Sequence, residues 1–299
     1  MILFSGGILR AQNYEDLISR YSGANGDQFM QPVADVLGAN VNSGMFHSAY
    51  IQPGISPQFY IGFTGMVAFI PDASKVFTTT TEGEFFPTTT VDDVPTIFGD
   101  KDGKTVEGPG GTRYYFPGGL EAELIPLAVP QITLGSIYGT DITVRYMSVS
   151  SLAESLNIQD EDLINELHLF GWGVRHCVSQ YFEDLLPVDI SVGYYRNTLK
   201  SREYLNVASS LISIQASYNK SLLTIYGGIG IESSSTKVYY DFGNDFVVNY
   251  DLKGRNTVRL TVGATVNAGP LKINVDYNLA NQSTLSAGIG IGVNELKKD

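Results

Sequence analysis

The sequence predicts an all-β protein, an antiparallel transmembrane β-barrel of about ten strands (with twelve the alternative count) that carries a short N-terminal helical hatch. Three observations predict it. First, Val258–Val293 alternates strictly: Val258, Leu260, Val262, Ala264 and Val266, then Leu271, Ile273, Val275, Tyr277 and Leu279, then Leu285, Ala287, Ile289, Ile291 and Val293 are apolar or small. Arg259, Thr261, Lys272, Asn274, Asp276, Ser286 and several glycines lie between them. Period two over three runs of roughly ten residues marks antiparallel strands with one apolar and one polar face, each long enough to cross a bilayer when tilted. Second, hydrophobic residues make up 43% and charged residues only 17%, below the roughly 25% charge of soluble domains. Third, short and long links between strands alternate, which is how outer-membrane barrels are built.

The chain begins Met-Ile-Leu-Phe-Ser-Gly-Gly-Ile-Leu-Arg-Ala-Gln. Residues 1–12 resemble the end of a secretory signal peptide cut after Ala11, without its basic start; a short buried apolar segment is the alternative. Residues 13–57 form the expected hatch. Tyr14–Tyr21 suits a short helix, and Gln31–Gly38 a second, with Pro32 in its first turn and Gly38 at its end. Such a segment needs something to pack into, either the inside of a barrel or the surface of a soluble sheet. If the hatch moves, Gly38, Gly44 and Gly54 are its candidate hinges.

The barrel is expected over 58–294. Gln58–Ile70 is its first strand, alternating as Phe59, Ile61, Phe63, Val67 and Phe69. Residues 71–128 read as a long loop because of the threonine tracts, Asp100-Lys-Asp-Gly103 and Gly108-Pro-Gly-Gly111, with one extra hairpin through Thr112–Ile125. Asp100–Gly103 starts like a calcium loop but lacks the later ligands, so it reads as a plain turn. Further strands are marked by Ile132 and Leu134; by Ile142, Val144 and Tyr146; by Glu166–Val178 with Trp172; by Val188–Tyr194; by Ala208–Tyr218; and by Leu223–Ile231. Tight links at Asn219–Ser221 and Asn267–Pro270 and a helix-like Ser179–Leu186 alternate with longer ones at Ser148–Asn165, Asn197–Asn206 and Glu232–Thr257; the last link, Ala280–Thr284, falls on the long side but is short, an exception. An even strand count places both chain termini on the short-turn side. Residues 295–299 are a tail.

Nothing in the sequence supports catalysis or a cofactor, so the protein is expected not to be an enzyme. The single Cys177 excludes an internal disulfide. His168 and His176 lie about 26 Å apart along one strand, too far to share a metal. With Glu166 they are expected as polar groups facing the lumen. Gly227–Gly230 and Gly288–Gly292 sit inside strands and open no helix, so they provide space rather than a phosphate loop. A net charge of −12 argues against nucleic acid. No apolar run reaches the roughly 18 residues of a membrane helix, so a membrane form must be a closed sheet.

Ala24–Gly44, Val94–Gly99, Gly139–Tyr146, Phe170–His176 and Leu186–Val192 together resemble an uncharacterised family of Bacteroidota outer-membrane proteins, distantly similar to the FadL-like long-chain fatty-acid transporter barrels. The resemblance spans about Tyr14–Val293. It implies an outer-membrane location, contact with the lipid bilayer, and a hatch inside the barrel. The chain departs from FadL-like barrels in having fewer strands and in ending on Asn294-Glu-Leu-Lys-Lys-Asp299 rather than an aromatic residue. Three functions are expected: passage or binding of a small hydrophobic compound; a non-transporting accessory or scaffold of a secretion complex; or a soluble secreted β protein.

Overall fold

A computed structural model describes residues 24–82, 85, 87–148, 167–182, 187–201, 205–241 and 247–293. The expected signal remnant 1–12, the helix expected at Tyr14–Tyr21, Glu166 and the tail 295–299 lie outside the described residues.

Ten strands close into one antiparallel ring. In chain order they are β1 (Ile55–Phe69), β6 (Leu124–Ile137), β7 (Thr140–Ser148), β8 (Leu167–Cys177), β9 (Asp189–Ser201), β10 (Leu205–Lys220), β11 (Leu223–Asp241), β13 (Val258–Ala268), β14 (Leu271–Leu279) and β15 (Thr284–Val293). The ring closes where β1 meets β15, from Phe59↔Val293 to Ala68↔Thr284. The last strands therefore zip against the first, as the sequence predicts.

The apolar face points outward. Val258, Leu260 and Val262 are 56%, 48% and 54% exposed, whereas Arg259 and Thr261 between them are 2% and 5% exposed. The same parity holds along β14 and β15. Phe59, Ile61, Phe63, Ile212, Ile214, Ile225 and Ile229 extend the exposed apolar band around the barrel. A soluble sheet with inward apolar faces would show the opposite pattern.

At one end the links are tight. β6 turns into β7 through Tyr138 and Gly139, both with positive φ (51° and 70°), as a two-residue hairpin requires. Ser221 and Gly269, with φ of 55° and 64°, serve the β10–β11 and β13–β14 turns. At the other end stands a cap. Its first part, within 70–123, holds two hairpins, β2 (Val76–Thr80) with β3 (Thr90–Pro95) and β4 (Lys104–Glu107) with β5 (Arg113–Phe116). The sequence suggests one hairpin and a loop reaching 128; the structure has two, and β6 starts at Leu124. Pro126 and Pro130 conceal that start, because proline argues against a central strand. The second part is β12 (Val247–Lys253), which pairs with β11 above Ser235 after β13 has released it at Ile231. Lys75 ties the cap to the wall, reaching Glu123 at 2.7 Å and Asp72 at 3.0 Å. Those bonds, Glu123 first, hold its ammonium above the usual lysine range.

The N-terminal segment carries one helix among the described residues, α1 (Ala24–Val41). It is longer at both ends than the Gln31–Gly38 predicted. Asn25 secures its start, its backbone N–H donating to Glu82 Oε1 at 3.0 Å and its side-chain amide to the Thr80 carbonyl at 3.0 Å. Pro32 lies inside the helix and costs it one backbone bond. Burial of Phe29, Met30, Ala34 and Val36 against the cap offsets that loss. Gly38 does not end the helix; its bare Cα lies against Ser234 of β11, where a side chain would collide.

From Val41 the chain descends through the lumen to Gly54, whose carbonyl accepts the Tyr138 N–H at 2.8 Å in a tight turn. Only there does it enter β1, three residues earlier than the Gln58 start predicted. The first and last strand ends, Ile55 and Val293, share the short-turn end, as an even strand count requires, while α1 sits at the opposite end, beneath the cap; the chain termini lie outside the described residues.

Outward parity predicts a depth-dependent penalty. Val262→Arg, in the middle of the exposed band, should lower folding stability in lipid vesicles by about 2–4 kcal/mol, read by urea titration of the heat-modifiable gel shift. Unchanged stability would mean that this face does not meet lipid.

Candidate functional site

The lumen is the candidate site. Its wall is made by the polar parity of every strand: Thr64, Gln131, Thr143, Ser191, Gln215, Thr265, Asn274 and Ser286 are all buried. Its contents are the extended segment Asn42–Ile51, which we call the strap. A strap inside a barrel has no strand ladder of its own, yet each buried carbonyl needs a donor.

Three inward arginines supply those donors. Arg145 of β7 donates from Nε to Gln131 Oε1 at 2.7 Å, from Nη1 to the Ser43 carbonyl at 2.8 Å, and from Nη2 to the Gly44 carbonyl. Arg259 of β13 reaches the Asn42 carbonyl at 2.8 Å and the Ala39 carbonyl at 3.0 Å, so its charge also faces the negative end of the α1 dipole. Arg175 of β8 donates to the Ser48 carbonyl. Buried carboxylates hold two of them in place. Glu232 lies 2.8 Å from Arg259, and Asp141 accepts from Arg175 at 3.1 Å and again through its second oxygen.

Uncharged wall groups complete the grip. Thr265 donates to the His47 carbonyl at 2.7 Å, the Ala49 N–H donates to Ser217 Oγ at 2.9 Å, and Ser43 Oγ meets Thr284 Oγ1 at 2.6 Å. Asn42 donates to Glu232 at 3.1 Å and accepts from Ser209 at 2.9 Å. Ring contacts fill the remaining space, Phe46 edge-on to Tyr226 and His47 over Tyr60. Of the glycines expected to leave room, Gly228 lies against Phe46, Gly230 against Leu211, Gly288 against Asn274 and Gly290 beside Tyr60. Gly62, also beside Tyr60, and Gly173 and Gly193, under Tyr195, do the same without having been singled out.

Above the strap the lining changes character on one side. Met66, Val129, Leu169, Leu199 and Val207, buried and facing inward, form a patch with Val41 of α1, bordered by Leu37, Leu127, Met147, Leu167 and Leu205. A second, smaller apolar cluster of Met45, Phe46, Tyr195, Leu211 and Tyr226 lies at the level of the strap. The larger patch adjoins Leu124–Pro130 of β6. Among the described residues the β6–β7 ladder runs from Ile137 as far as Gln131↔Arg145, and Leu124–Pro130 pair with β1. Pro126 and Pro130 have no N–H to offer β7.

The residues predicted as lumenal are placed differently. His168 and His176 share the parity of Phe170, Trp172 and Val174, which face outward. His168 is exposed beside Lys200 of β9. His176 lies outside the foot of β8, near Thr140 Oγ1 (2.9 Å) and Tyr181 Oη (3.1 Å). The inward parity of β8 instead carries Leu169, Gly171, Gly173 and Arg175, because tyrosine rings inside need glycine opposite them. Glu166 lies outside the described residues. Of the hinge candidates, Gly38 is inside α1; Gly44 has a φ of 62° and faces Thr64 and Ser286; Gly54, with a φ of 75°, has open space around it. The three arginines were missed as a group. Their signal was present: a charge inside an alternating strand, on the parity opposite to its aliphatics.

A closed ten-strand barrel with an internal helix and strap defines the class, a plugged β-barrel. The chain belongs to the family described as a family of unknown function (DUF6588), whose model matches residues 1–293. No curated protein matches. Similar solved structures include Ail, the attachment invasion locus protein of Yersinia pestis, at 10% identity, covering 80% of this chain and 98% of that one, TM-score 0.25. OmpT of Vibrio cholerae, an outer membrane protein, is 9% identical, with 80% and 99% covered and a TM-score of 0.25. The toluene transporter TbuX of Ralstonia pickettii is 9% identical, with 87% and 97% covered and a TM-score of 0.24.

Removing the grip should open the lumen. Arg145→Met combined with Arg259→Met and Glu232→Gln removes several charge-assisted bonds worth about 1.5–3 kcal/mol each, and the last change keeps Glu232 from being left buried without its arginine. In planar bilayers the wild type should be electrically silent and the triple variant should conduct. A silent variant would show that the arginines do not hold the strap.

Proposed function

We propose that this protein is an outer-membrane β-barrel that binds a small hydrophobic compound, or passes it through, between α1 and the β6–β10 wall. The carrying observation is the apolar patch around Met66, Val129, Leu169, Leu199 and Val207 inside a polar lumen. The neighbouring stretch Leu124–Pro130, whose described ladder partners are all on β1, lies at the same level and is where this reading places the route through the wall. α1 covers the patch, so entry requires it to shift, and the strap is what tethers it. This reading involves no catalysis.

The pair Ser43 and Thr284, with hydroxyls 2.6 Å apart, offers a test. In a Cys177→Ser background, Ser43→Cys with Thr284→Cys should form a disulfide that tethers the strap to β15. Oxidised proteoliposomes should then take up the hydrophobic dye 1-N-phenylnaphthylamine several-fold more slowly, and reductant should restore the rate. Equal uptake in both states would count against a moving hatch. Separately, Leu169→Asn should weaken dye binding about tenfold, in line with the roughly 1.5–3 kcal/mol of a buried leucine.

A second reading is favoured by the number of wall groups that hold the strap, among them Arg145, Arg175, Arg259, Ser217 and Thr265, which suits a barrel that stays closed. In that case the protein is a non-transporting accessory or scaffold of a secretion complex, with the cap as its docking face. A stoichiometric partner retained in mild detergent, together with no dye uptake, would support it.

A further inference from the structure

We propose that the outer wall of β8–β12, at the end nearest the cap, binds the phosphate groups of an outer-leaflet lipid. The proposal rests on reading the barrel as an outer-membrane protein whose long connections face outward. It begins from where the chain puts its outward charge. Among the described residues, the outward faces of β1, β6, β7, β13, β14 and β15 carry no charged side chain. Arg196 and Lys200 of β9, Lys237 of β11 and Lys253 of β12 are all exposed, in a chain of net charge −12.

The register gathers them. One row runs His168↔Lys200, Lys200↔Asn206, Asn206↔Lys237 and Lys237↔Asp251 across five strands. Arg196 stands below Lys200 on the same face, between Trp172 and Ser210. With strands about 4.8 Å apart and about 3.4 Å per residue, Arg196, Lys200 and Lys237 fit a patch of about 10 by 13 Å. Asp251 is the one acid in the row, 3.4 Å from Lys237, and both side chains are 61% exposed. Among the described residues it offsets one cation and leaves the patch basic.

The setting selects the ligand. Trp172 and Tyr194 meet edge-on at 5.6 Å on the outward face just below Arg196, as aromatics do at headgroup level. Arg196 and Lys200 can lay their stems along that apolar surface and lift their charges to the interface. At that depth a cation on the wall costs about 0–1 kcal/mol, against about 2–4 kcal/mol at mid-bilayer. Phosphate is the anion that arginine and lysine bind there, through charge-assisted hydrogen bonds. Asn206 and Ser210 add donors between the cations.

The test uses the full chain, refolded in detergent, with purified bis-phosphorylated lipid A as the probe and its dephosphorylated form as control. Native mass spectrometry should show the phosphorylated form retained at least tenfold better, with the preference fading at high salt. Arg196→Gln with Lys200→Gln and Lys237→Gln should abolish the preference. These side chains face away from the lumen, so the heat-modifiable gel shift should be unchanged. Lys200→Arg with Lys237→Arg should keep the preference. Equal retention of the two lipids by the wild type, or equal preference in the wild type and the Gln variant, would overturn the proposal. Failure of the wild type to insert into vesicles at all would instead overturn the outer-membrane reading beneath it.

Discussion

Everything in this barrel depends on how the carbonyls of one extended strap are satisfied. The ladder closes the wall without help, since each wall strand has a neighbour on both sides over most of its length. The strap does not, and a buried carbonyl without a donor costs more than an ordinary hydrogen bond returns. Arg145, Arg175 and Arg259 meet that need from three different strands, each aimed at a different level of the strap. They also explain why a lumen can hold buried cations: the guanidinium planes are spent on backbone oxygens, and Asp141 and Glu232 orient two of them. The polar interior is thus a set of partners shaped to one guest.

The same accounting explains the apolar patch. α1 satisfies most of its own backbone, so the wall beside it need not be polar, and there the inward parity turns to Val129, Leu169, Leu199 and Val207. Below, where the chain is extended, the inward parity turns to arginine, threonine and asparagine. The boundary between the two linings follows the boundary between helix and strap, near Val41 and Asn42. The secondary structure of the plug has dictated the chemistry of the wall.

Much of this was legible in the sequence. The strand count, the outward face of Val258–Val293 and the pairing of last strand with first follow from period two. The expected alternation of short and long links does not hold throughout, because β9 and β10 stay paired through the stretch read as a loop: their link is 202–204 and that of β14–β15 is 280–283, whereas β8 and β9 are joined by 178–188. What was not legible has physical reasons. β6 begins at Leu124 although Pro126 and Pro130 disfavour it, because β1 supplies its ladder partners there. His168 and His176 were placed inside because polar residues face the lumen on most strands. On β8 the inward parity is Leu169, Gly171, Gly173 and Arg175, with Gly173 under Tyr195, so the histidines fall on the outward parity with Phe170 and Trp172. α1 outruns its predicted limits because burial outweighs the local cost of Pro32. The descent of the strap has no periodic signature, as its conformation is set by donors far away in sequence.

The path of the strap has a consequence for assembly. The chain enters at the capped end, runs the length of the lumen, turns at Gly54 and only then becomes wall. A thread inside a ring cannot be added by lateral packing after the ring has closed. Either β1 meets β15 with the strap already lying between them, or the strap is drawn in lengthwise through a finished ring. The first order makes the guest part of the mould: the arginines gather the strap while the sheet is still open, and closure becomes the step that locks it in.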